Sequence, residues 1–297
     1  MDDKNVSASR QVITSLAAGA FAGAVAKTTI APLDRCKINF QVRQWRYTFT
    51  GAFKFLVQTY KKEGFTSLWR GNTATLARII PSAAIQYASH EQWRNLLVLF
   101  TGSNSIRELP SHWRFVAGSL AGVTASTCTY PLDLARARMA VTPKDRYANI
   151  FQVFMNILRE EGVSSLYRGY SASVLGVIPY AGVSFGTYES LKWFHQDPLT
   201  PLHRLGFGAL AGLLGQTSSY PLDIARRRMQ TSEALGGNQH YKTILTTFVY
   251  VYRTEGLRRG LYKGLSMNWI KGPIGVGISF TIFDTVQYIL RWAWPLE

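Results

Sequence analysis

The sequence predicts an all-α membrane protein made of three tandem repeats of about 100 residues, with six transmembrane helices and three short surface helices. The first observation is a motif, Pro-x-acid-x-x-base, which occurs as PLDRCK at 32–37, PLDLAR at 131–136 and PLDIAR at 221–226. The second is a motif that comes after each copy, EGFTSLWRG at 63–71, EGVSSLYRG at 161–169 and EGLRRGLYKG at 255–264. The spacing predicts equivalent units at 11–101, 110–196 and 201–294 within a single domain, 1–297.

The first apolar stretch of each repeat is rich in small residues and contains Gly-x-x-x-Gly. The glycines are Gly19 and Gly23, Gly118 and Gly122, and Gly208 and Gly212. Because this spacing lets transmembrane helices approach closely, we expect these glycines at helix contacts. A proline then falls inside each pattern, at Pro32, Pro131 and Pro221. Proline removes a backbone donor and bends a helix, so each first helix is expected to lean inward at one end.

The second apolar stretch of each repeat covers about 72–99, 171–194 and 266–291. Shorter amphipathic segments near 51–62, 148–160 and 241–254 predict the three surface helices. Several polar residues lie inside the long stretches, namely Lys27, Arg78, Gln86, Gln216 and Lys271. Because such residues are costly in lipid, we expect them to face an aqueous interior.

The charge balance points to an anionic partner. The formal net charge is +16, although only 17% of the residues are charged. A nucleic-acid-binding protein is the first alternative. Against it, the basic residues recur at matching positions of the repeats instead of clustering in one arm or helix.

Charge in the loops predicts the orientation of the chain. The three long loops, 42–71, 140–170 and 231–265, contain fifteen lysines and arginines. The two short connectors, 96–112 and 195–204, contain two, Arg107 and Arg204. By the positive-inside rule the long loops share one side of the membrane. With six spans, both termini lie on the opposite side.

Together these motifs resemble the mitochondrial carrier family over nearly the whole chain. The resemblance implies a threefold pseudosymmetric barrel of six tilted helices around a central cavity in the mitochondrial inner membrane. The three short helices would lie on the matrix side and both termini toward the intermembrane space. It also implies a transporter rather than an enzyme, working by alternating access without a cofactor or metal, and a pore within one chain needs no second copy.

The resemblance further implies a ring of ion pairs that closes the matrix end of the cavity. The expected pairs are Asp34 with Arg226, Asp133 with Lys37, and Asp223 with Arg136. Family members brace such pairs with a glutamine after the motif. Gln41 and Gln230 match this position whereas Ala140 does not, so at most two braces are expected.

A second ring is expected at the cytosolic end, from aromatic-acid-x-x-base motifs on the second transmembrane helix of each repeat. Its residues are Glu91, Arg94, Tyr188, Glu189, Lys192, Phe283, Asp284 and Gln287, with His90 in place of the first aromatic residue. The expected pairs are Glu189 with Arg94 and Asp284 with Lys192. Because Gln287 replaces a base, Glu91 is left with a hydrogen bond only, and we expect a weaker gate at this end.

By the same resemblance, cardiolipin would bind where the second transmembrane helix of each repeat begins. The residues concerned are Trp69, Arg70, Gly71, Tyr167, Arg168, Gly169, Tyr262, Lys263 and Gly264. Exposed N–H groups at a helix N-terminus bind phosphate. An aromatic belt with snorkelling cations is the alternative interpretation. The third copy has one extra residue before its aromatic residue, which leaves its geometry open.

The cavity positions predict the substrate. Lys27, Arg78 and Lys271 supply cations for phosphates, and Arg138, Arg227 and Arg228 are candidates for additional cations. In repeat two the place of Arg78 and Lys271 is taken by Gly176 and Val177, with Tyr180 nearby. In the family such a Gly-aliphatic pair accompanies adenine nucleotide substrates. Close helix packing is the alternative interpretation of Gly176, and a snorkelling or ion-paired side chain is the alternative for Lys27 and Lys271.

Within the family, VLGVIPYAG, ARARMAVTPK and YKGLSMNWIKGP resemble carriers of coenzyme A. This implies exchange of coenzyme A, dephospho-CoA or adenosine 3′,5′-bisphosphate for adenine nucleotides such as ADP. An ATP-Mg/phosphate carrier, or another adenine nucleotide carrier, is the alternative within the family. A proton leak pathway with the same fold is a further alternative.

Overall fold

The computed structural model describes residues 2–102, 109–195 and 200–293. The α-helices are α1 (Asp2–Val42), α2 (Phe49–Glu63), α3 (Asn72–Thr101), α4 (Ser111–Val141), α5 (Ile150–Glu160), α6 (Tyr170–Phe194), α7 (Pro201–Thr231), α8 (Ile244–Glu255) and α9 (Leu265–Ala293). Within these ranges there are six long and three short α-helices and no strand, as the sequence predicts. Arg107 in the first connector and the predicted repeat ends at 196 and 294 lie outside the described residues.

The six long helices form a closed ring. The most extensive contacts join α3 to α4, α6 to α7, and α9 back to α1. The first helices of the three repeats, α1, α4 and α7, also contact one another. By length and mean hydropathy, one described segment, 257–290, is long and apolar enough to cross a membrane. Large apolar side chains nevertheless remain exposed on other helices, including Ile80, Leu99, Phe100 and Trp193.

Capping residues fix where the short helices begin. Thr48 Oγ1 accepts a hydrogen bond from Gly51 N at 3.0 Å, and Asn149 Oδ1 accepts one from Gln152 N at 2.8 Å. Thr243 caps α8 in the same way. These side chains satisfy backbone donors that have no partner in the first turn of a helix.

The proline of α1 leaves one carbonyl that another repeat element satisfies. Pro32 lacks an N–H, so the carbonyl of Thr28, four residues earlier, loses its helical partner. Trp69 Nε1 donates to this carbonyl at 2.8 Å. The tryptophan of the second motif therefore stabilises the helix that carries the first motif.

The Gly-x-x-x-Gly glycines do not lie at close helix contacts, so that prediction was wrong. A Cβ on Gly23, Gly118, Gly122, Gly208 or Gly212 would meet nothing within 4 Å, and at Gly19 it would lie 3.9 Å from Phe283. The buried small residues are alanines with the same spacing, Ala18, Ala22 and Ala26 in α1 and Ala117, Ala121 and Ala125 in α4. The first two alanines of each series come one residue before the glycines of the motif and are buried where those glycines are not.

The extra residue in the third repeat is absorbed by a wider turn. Residues Phe65–Trp69 and Val163–Tyr167 form 3₁₀ turns before α3 and α6, whereas Leu257–Leu261 forms a π turn before α9. Tyr262 N donates to Leu257 O at 3.2 Å across this turn. A π turn accommodates one inserted residue without shifting the residues after it. Tyr262 consequently stacks on Tyr220 with an interplanar angle of 11°.

Candidate functional site

The acids and bases of the three Pro motifs meet where α1, α4 and α7 converge. Arg226 Nη2 donates to Asp133 Oδ2 at 2.6 Å, and Lys37 Nζ donates to Asp223 Oδ2 at 3.0 Å. The third pair joins Arg136 to Asp34. We call these six residues the gate ring. They connect each of α1, α4 and α7 to the other two.

The gate ring contains the expected residues, but the expected partners were wrong. Asp34 pairs with Arg136 instead of Arg226, Asp133 with Arg226 instead of Lys37, and Asp223 with Lys37 instead of Arg136. The ring therefore runs in the opposite sense. The motif spacing places an acid and a base at one end of each helix. Which neighbour each of them reaches depends on how the three helices are arranged relative to one another, which the spacing does not encode.

Two of the three ion pairs have a glutamine brace. Gln41 Nε2 donates to Asp223 Oδ2 at 3.1 Å and to Tyr220 OH at 3.2 Å. Gln230 Nε2 donates to Asp133 Oδ2 and to Tyr130 OH, both at 2.9 Å. At the third pair, Ala140 replaces the glutamine, and Lys271 Nζ donates to Asp34 Oδ1 at 2.6 Å instead.

Cations predicted to bind substrate contact the gate ring directly. Arg78 Nη1 lies 3.7 Å from Asp133 Oδ1, and Arg227 Nη1 lies 3.2 Å from Asp133 Oδ2. Lys27 is solvent-accessible and lies within electrostatic range of Asp34, Lys271 and Arg78. Positive charge thus concentrates on the cavity side of the gate carboxylates.

A cavity of about 330 Å³ opens between α6, α7 and α9, above the gate ring. Its lining includes the predicted positions Gly176, Val177, Tyr180, Arg227 and Lys271, together with the gate residues Lys37, Asp223 and Arg226. A Cβ on Gly176 would lie 3.7 Å from Leu222 Cβ, an ordinary van der Waals contact. Helix packing therefore does not require glycine here, and the missing side chain leaves space on the cavity wall.

Arg138 and Arg228 do not line this cavity, which corrects their predicted role. Both are fully buried. Arg138 Nη2 donates to Glu161 Oε2 at 2.8 Å and its Nε to Gln230 O at 3.1 Å. Arg228 pairs with Glu255, and its Nε donates to Gln41 O at 3.1 Å. These arginines are occupied by structural contacts.

Repeat one completes the same arrangement with a residue that sequence reasoning missed. Arg35 Nη2 donates to Glu63 Oε2 at 2.8 Å, and its Nε donates to Ala140 O at 3.2 Å. The pairs Arg35–Glu63, Arg138–Glu161 and Arg228–Glu255, which we call the support ring, each reach a carbonyl of another repeat. The threefold recurrence of glutamate before glycine in the second motif was the signal for this ring.

The basic residues of the second motif also bridge repeats. Arg70 Nε donates to Met139 O at 2.8 Å, and Arg168 pairs with Glu233. Lys263 pairs with Glu255, and its Nζ donates to Arg43 O at 3.0 Å. In this structure the three side chains therefore hold the repeats together.

The last glycine of the second motif lets α3 begin close to α4, and α6 begin close to α7. Gly71 has a φ of 87°, and a Cβ there would lie 2.9 Å from Arg136 O. Gly169 repeats the arrangement, with a φ of 80° and a distance of 3.0 Å to Arg226 O. A side chain at either position would push α3 or α6 away from the gate ring.

The predicted cytosolic ring is not assembled. Among the described residues, neither Glu189 with Arg94 nor Asp284 with Lys192 forms an ion pair. Lys192 lies 3.6 Å from Glu189 on its own helix. Gln287 Nε2 donates to Ser15 Oγ at 3.2 Å instead of reaching Glu91. One end of the barrel is therefore closed by the gate ring, while the predicted closure of the other end is not formed by the described residues.

A ring of six helices, with a cation-lined cavity beside ion pairs that join α1, α4 and α7, is the arrangement of a carrier-type transporter. The family model described as mitochondrial carrier protein matches three times, at residues 8–100, 107–199 and 197–293. The chain therefore belongs to the mitochondrial carrier family. Membership makes it a transporter of a mitochondrial membrane, not an enzyme.

Curated relatives are similar over nearly the whole chain. The mitochondrial coenzyme A transporter SLC25A42 of Rattus norvegicus is 57% identical, covering 95% of this chain and 89% of the relative. Its Homo sapiens counterpart is 55% identical with the same coverage. The mitochondrial carrier protein CoAc2 of Zea mays is 36% identical, covering 94% of this chain and 87% of the relative.

Proposed function

We propose that this carrier exchanges coenzyme A, or the related dephospho-CoA and adenosine 3′,5′-bisphosphate, for adenine nucleotides such as ADP. The observation that carries the proposal is the cavity between α6, α7 and α9. Its lining combines the basic residues Lys37, Arg226, Arg227 and Lys271 with a wall that has no side chain at Gly176. Coenzyme A matches both features, because it joins several phosphates to a flat adenine ring. The names of the relatives support the same substrate.

Two of the predicted substrate-binding cations, Lys271 and Arg78, suggest how binding opens the gate. Lys271 and Arg78 each neutralise a gate carboxylate, Asp34 and Asp133 respectively. Substrate phosphates compete with these carboxylates for the same cations. The charge-assisted hydrogen bond of Lys271 to Asp34 contributes about 1.5–3 kcal/mol, and Arg78 adds a longer-range attraction to Asp133. The loss of both contacts weakens the gate ring. Closure of the cytosolic ring offsets this loss, and the cavity then opens to the opposite side.

The proposed setting is the mitochondrial inner membrane, with the long loops in the matrix and the termini in the intermembrane space. The excess of basic residues in the long loops supports this orientation. Cardiolipin would bind the backbone N–H groups that come after Gly71, Gly169 and Gly264, since helix N-termini attract phosphate. A cavity enclosed within one chain supports a monomeric carrier.

Transport by the purified protein in liposomes tests the proposal. Liposomes loaded with ADP should take up labelled coenzyme A, and empty liposomes should not. Lys271→Met should reduce uptake at least about tenfold, since a charged contact to phosphate is lost. Lys54→Met, which removes the same charge from the exposed face of α2, should leave uptake unchanged.

Two outcomes would contradict the proposal. If neither coenzyme A nor ADP were moved, the substrate class would be wrong. If ATP with Mg²⁺ exchanged for phosphate and coenzyme A were excluded, the chain would be the alternative type of adenine nucleotide carrier.

A further inference from the structure

Positions at which the three repeats differ are those that can recognise an unsymmetrical substrate. The helices α3, α6 and α9 begin after equivalent glycines, Gly71, Gly169 and Gly264. Seven residues later come Arg78, Gly176 and Lys271, which the proposed function already uses. Four residues after the glycines come Thr75, Ser173 and Asn268, one turn closer to the gate ring. The proposed function does not use this second set.

The hydroxyl groups of this set are satisfied within their own helices. Thr75 Oγ1 donates to Gly71 O at 3.4 Å, and Ser173 Oγ donates to Gly169 O at 3.2 Å. Both bonds span four residues, as is usual for Ser and Thr in a helix. Neither side chain needs a partner from outside.

Asn268 breaks this pattern. Its residue is 3% exposed, and its Oδ1 is buried without a hydrogen-bond partner anywhere in the described parts of the chain. The side chain lines the same cavity as Gly176, Tyr180 and Lys271. A buried carbonyl oxygen without a donor is unfavourable, so such a group in a native protein needs a partner.

The chemistry of the substrate limits what that partner is. Phosphate groups at neutral pH are acceptors, and the neighbouring cations already serve them. An amide oxygen needs a donor, and the adenine ring carries one in its exocyclic amine, next to a ring nitrogen that accepts. An asparagine amide pairs with this edge of adenine through two hydrogen bonds.

We propose that Asn268 is a specificity-determining residue, whose amide hydrogen-bonds the exocyclic amine edge of the adenine base. This assignment rests on the proposed function, since it requires an adenine-containing substrate in the cavity. The base lies toward the wall that Gly176 leaves open, with Tyr180 beside it, while Lys271, one turn further along α9, holds phosphate.

Competition by two nucleotides tests the assignment. Uptake of labelled coenzyme A is measured while ADP or inosine diphosphate is added, the latter carrying an oxygen in place of the amine. The wild type should prefer ADP about tenfold or more. Asn268→Ala should reduce that preference to about twofold by weakening ADP, with inosine diphosphate unchanged. Thr75→Ala, the matched position in repeat one, should retain the wild-type preference.

The controls separate the possible failures. Equal weakening of both nucleotides in Asn268→Ala would show a structural role and overturn the assignment. So would a loss of preference against 2′-deoxy-ADP, which would indicate the ribose hydroxyl. If the wild type responded to no nucleotide and transported no coenzyme A, the proposed function itself would fail, and the assignment with it.

Discussion

At the scale of single residues, the repeat-one to repeat-two junction differs from the other two. Gln41 and Gln230 each join a gate aspartate to a tyrosine, Tyr220 and Tyr130 respectively. At the third junction the glutamine position is Ala140 and the tyrosine position is Ala31, so both members of the brace are missing together. Lys271 contacts Asp34 there, and this residue consequently serves both the gate ring and the cavity.

Separating the two roles of Lys271 gives a first prediction. Lys271→Met should destabilise the substrate-free carrier by about 1.5–3 kcal/mol, since Asp34 loses a charged hydrogen bond. Adding Ala140→Gln should restore much of this stability, because the new amide occupies the place that Gln41 and Gln230 hold at the other junctions. Uptake of coenzyme A should stay impaired in the double variant.

Thermal unfolding in detergent without substrate measures the stability, and uptake of labelled coenzyme A into liposomes measures transport. If Ala140→Gln restored both properties or neither, Lys271 would not have two separable roles.

Glu161 carries a second prediction at the residue scale. Glu161→Gln leaves Arg138 fully buried with a weakened partner, and removing one member of a buried ion pair costs about 3–5 kcal/mol. The unfolding temperature should therefore fall, whereas the coenzyme A concentration for half-maximal uptake should stay the same. The exposed neighbour supplies the control, since Glu160→Gln should change neither quantity. A changed affinity without loss of stability would return Arg138 to the binding site.

At the scale of helices, α6 and α7 approach each other closely at Gly215. A Cβ on Gly215 would lie 1.9 Å from Ser184 Oγ and 2.8 Å from Tyr180 O. Ser218 Oγ also donates to Pro179 O at 3.0 Å across this interface. Because Tyr180 lies in the cavity wall, the approach of α7 at Gly215 determines where that wall stands.

Gly215→Ala should destabilise the protein by about 1–3 kcal/mol, as expected for overpacking. Gly212→Ala, one turn away on α7, meets open space and should leave thermal unfolding unchanged or slightly improved. The two variants differ in position but not in chemistry. Equal unfolding temperatures would mean that α6 and α7 are not held at this distance.

The helices and the identity of the gate residues could be predicted from the sequence, because threefold repetition makes weak local signals specific. Other features depend on three-dimensional arrangement. The sense of the gate ring results from how α1, α4 and α7 are arranged relative to one another, and the burial of Arg138 and Arg228 results from where the glutamates of the second motif lie. The alanines next to the Gly-x-x-x-Gly glycines have the same spacing, so spacing alone does not reveal which of the two series is buried. The unpartnered amide of Asn268 becomes visible only once its surroundings are known.

At the scale of the whole molecule, the two ends of the barrel are in different states. The gate ring is assembled, and the cytosolic set is not. The described structure therefore corresponds to a carrier that is closed toward its long loops. Exchange requires that each closure be weak enough to open again.

The composition of the cytosolic set gives a prediction for the transport cycle. Gln287→Lys supplies the base that the third motif lacks and allows an ion pair with Glu91. This should stabilise the state that is open toward the long loops and slow the exchange of coenzyme A for ADP. Initial uptake rates in liposomes measure the effect, with Gln287→Met as the uncharged control. Unchanged rates for Gln287→Lys would count against an alternating closure at this end.

The accessibility of the cavity wall from each side of the membrane tests the transport mechanism most directly. Gly176→Cys, in a protein with Cys36 and Cys128 replaced by serine, is treated with a membrane-impermeant thiol reagent in oriented vesicles without substrate. We predict labelling from the side of the termini, protection by coenzyme A, and no labelling from the side of the long loops. Labelling from the long-loop side in the assembled-gate state, or equal labelling from both sides, would contradict a cavity that opens to one side at a time.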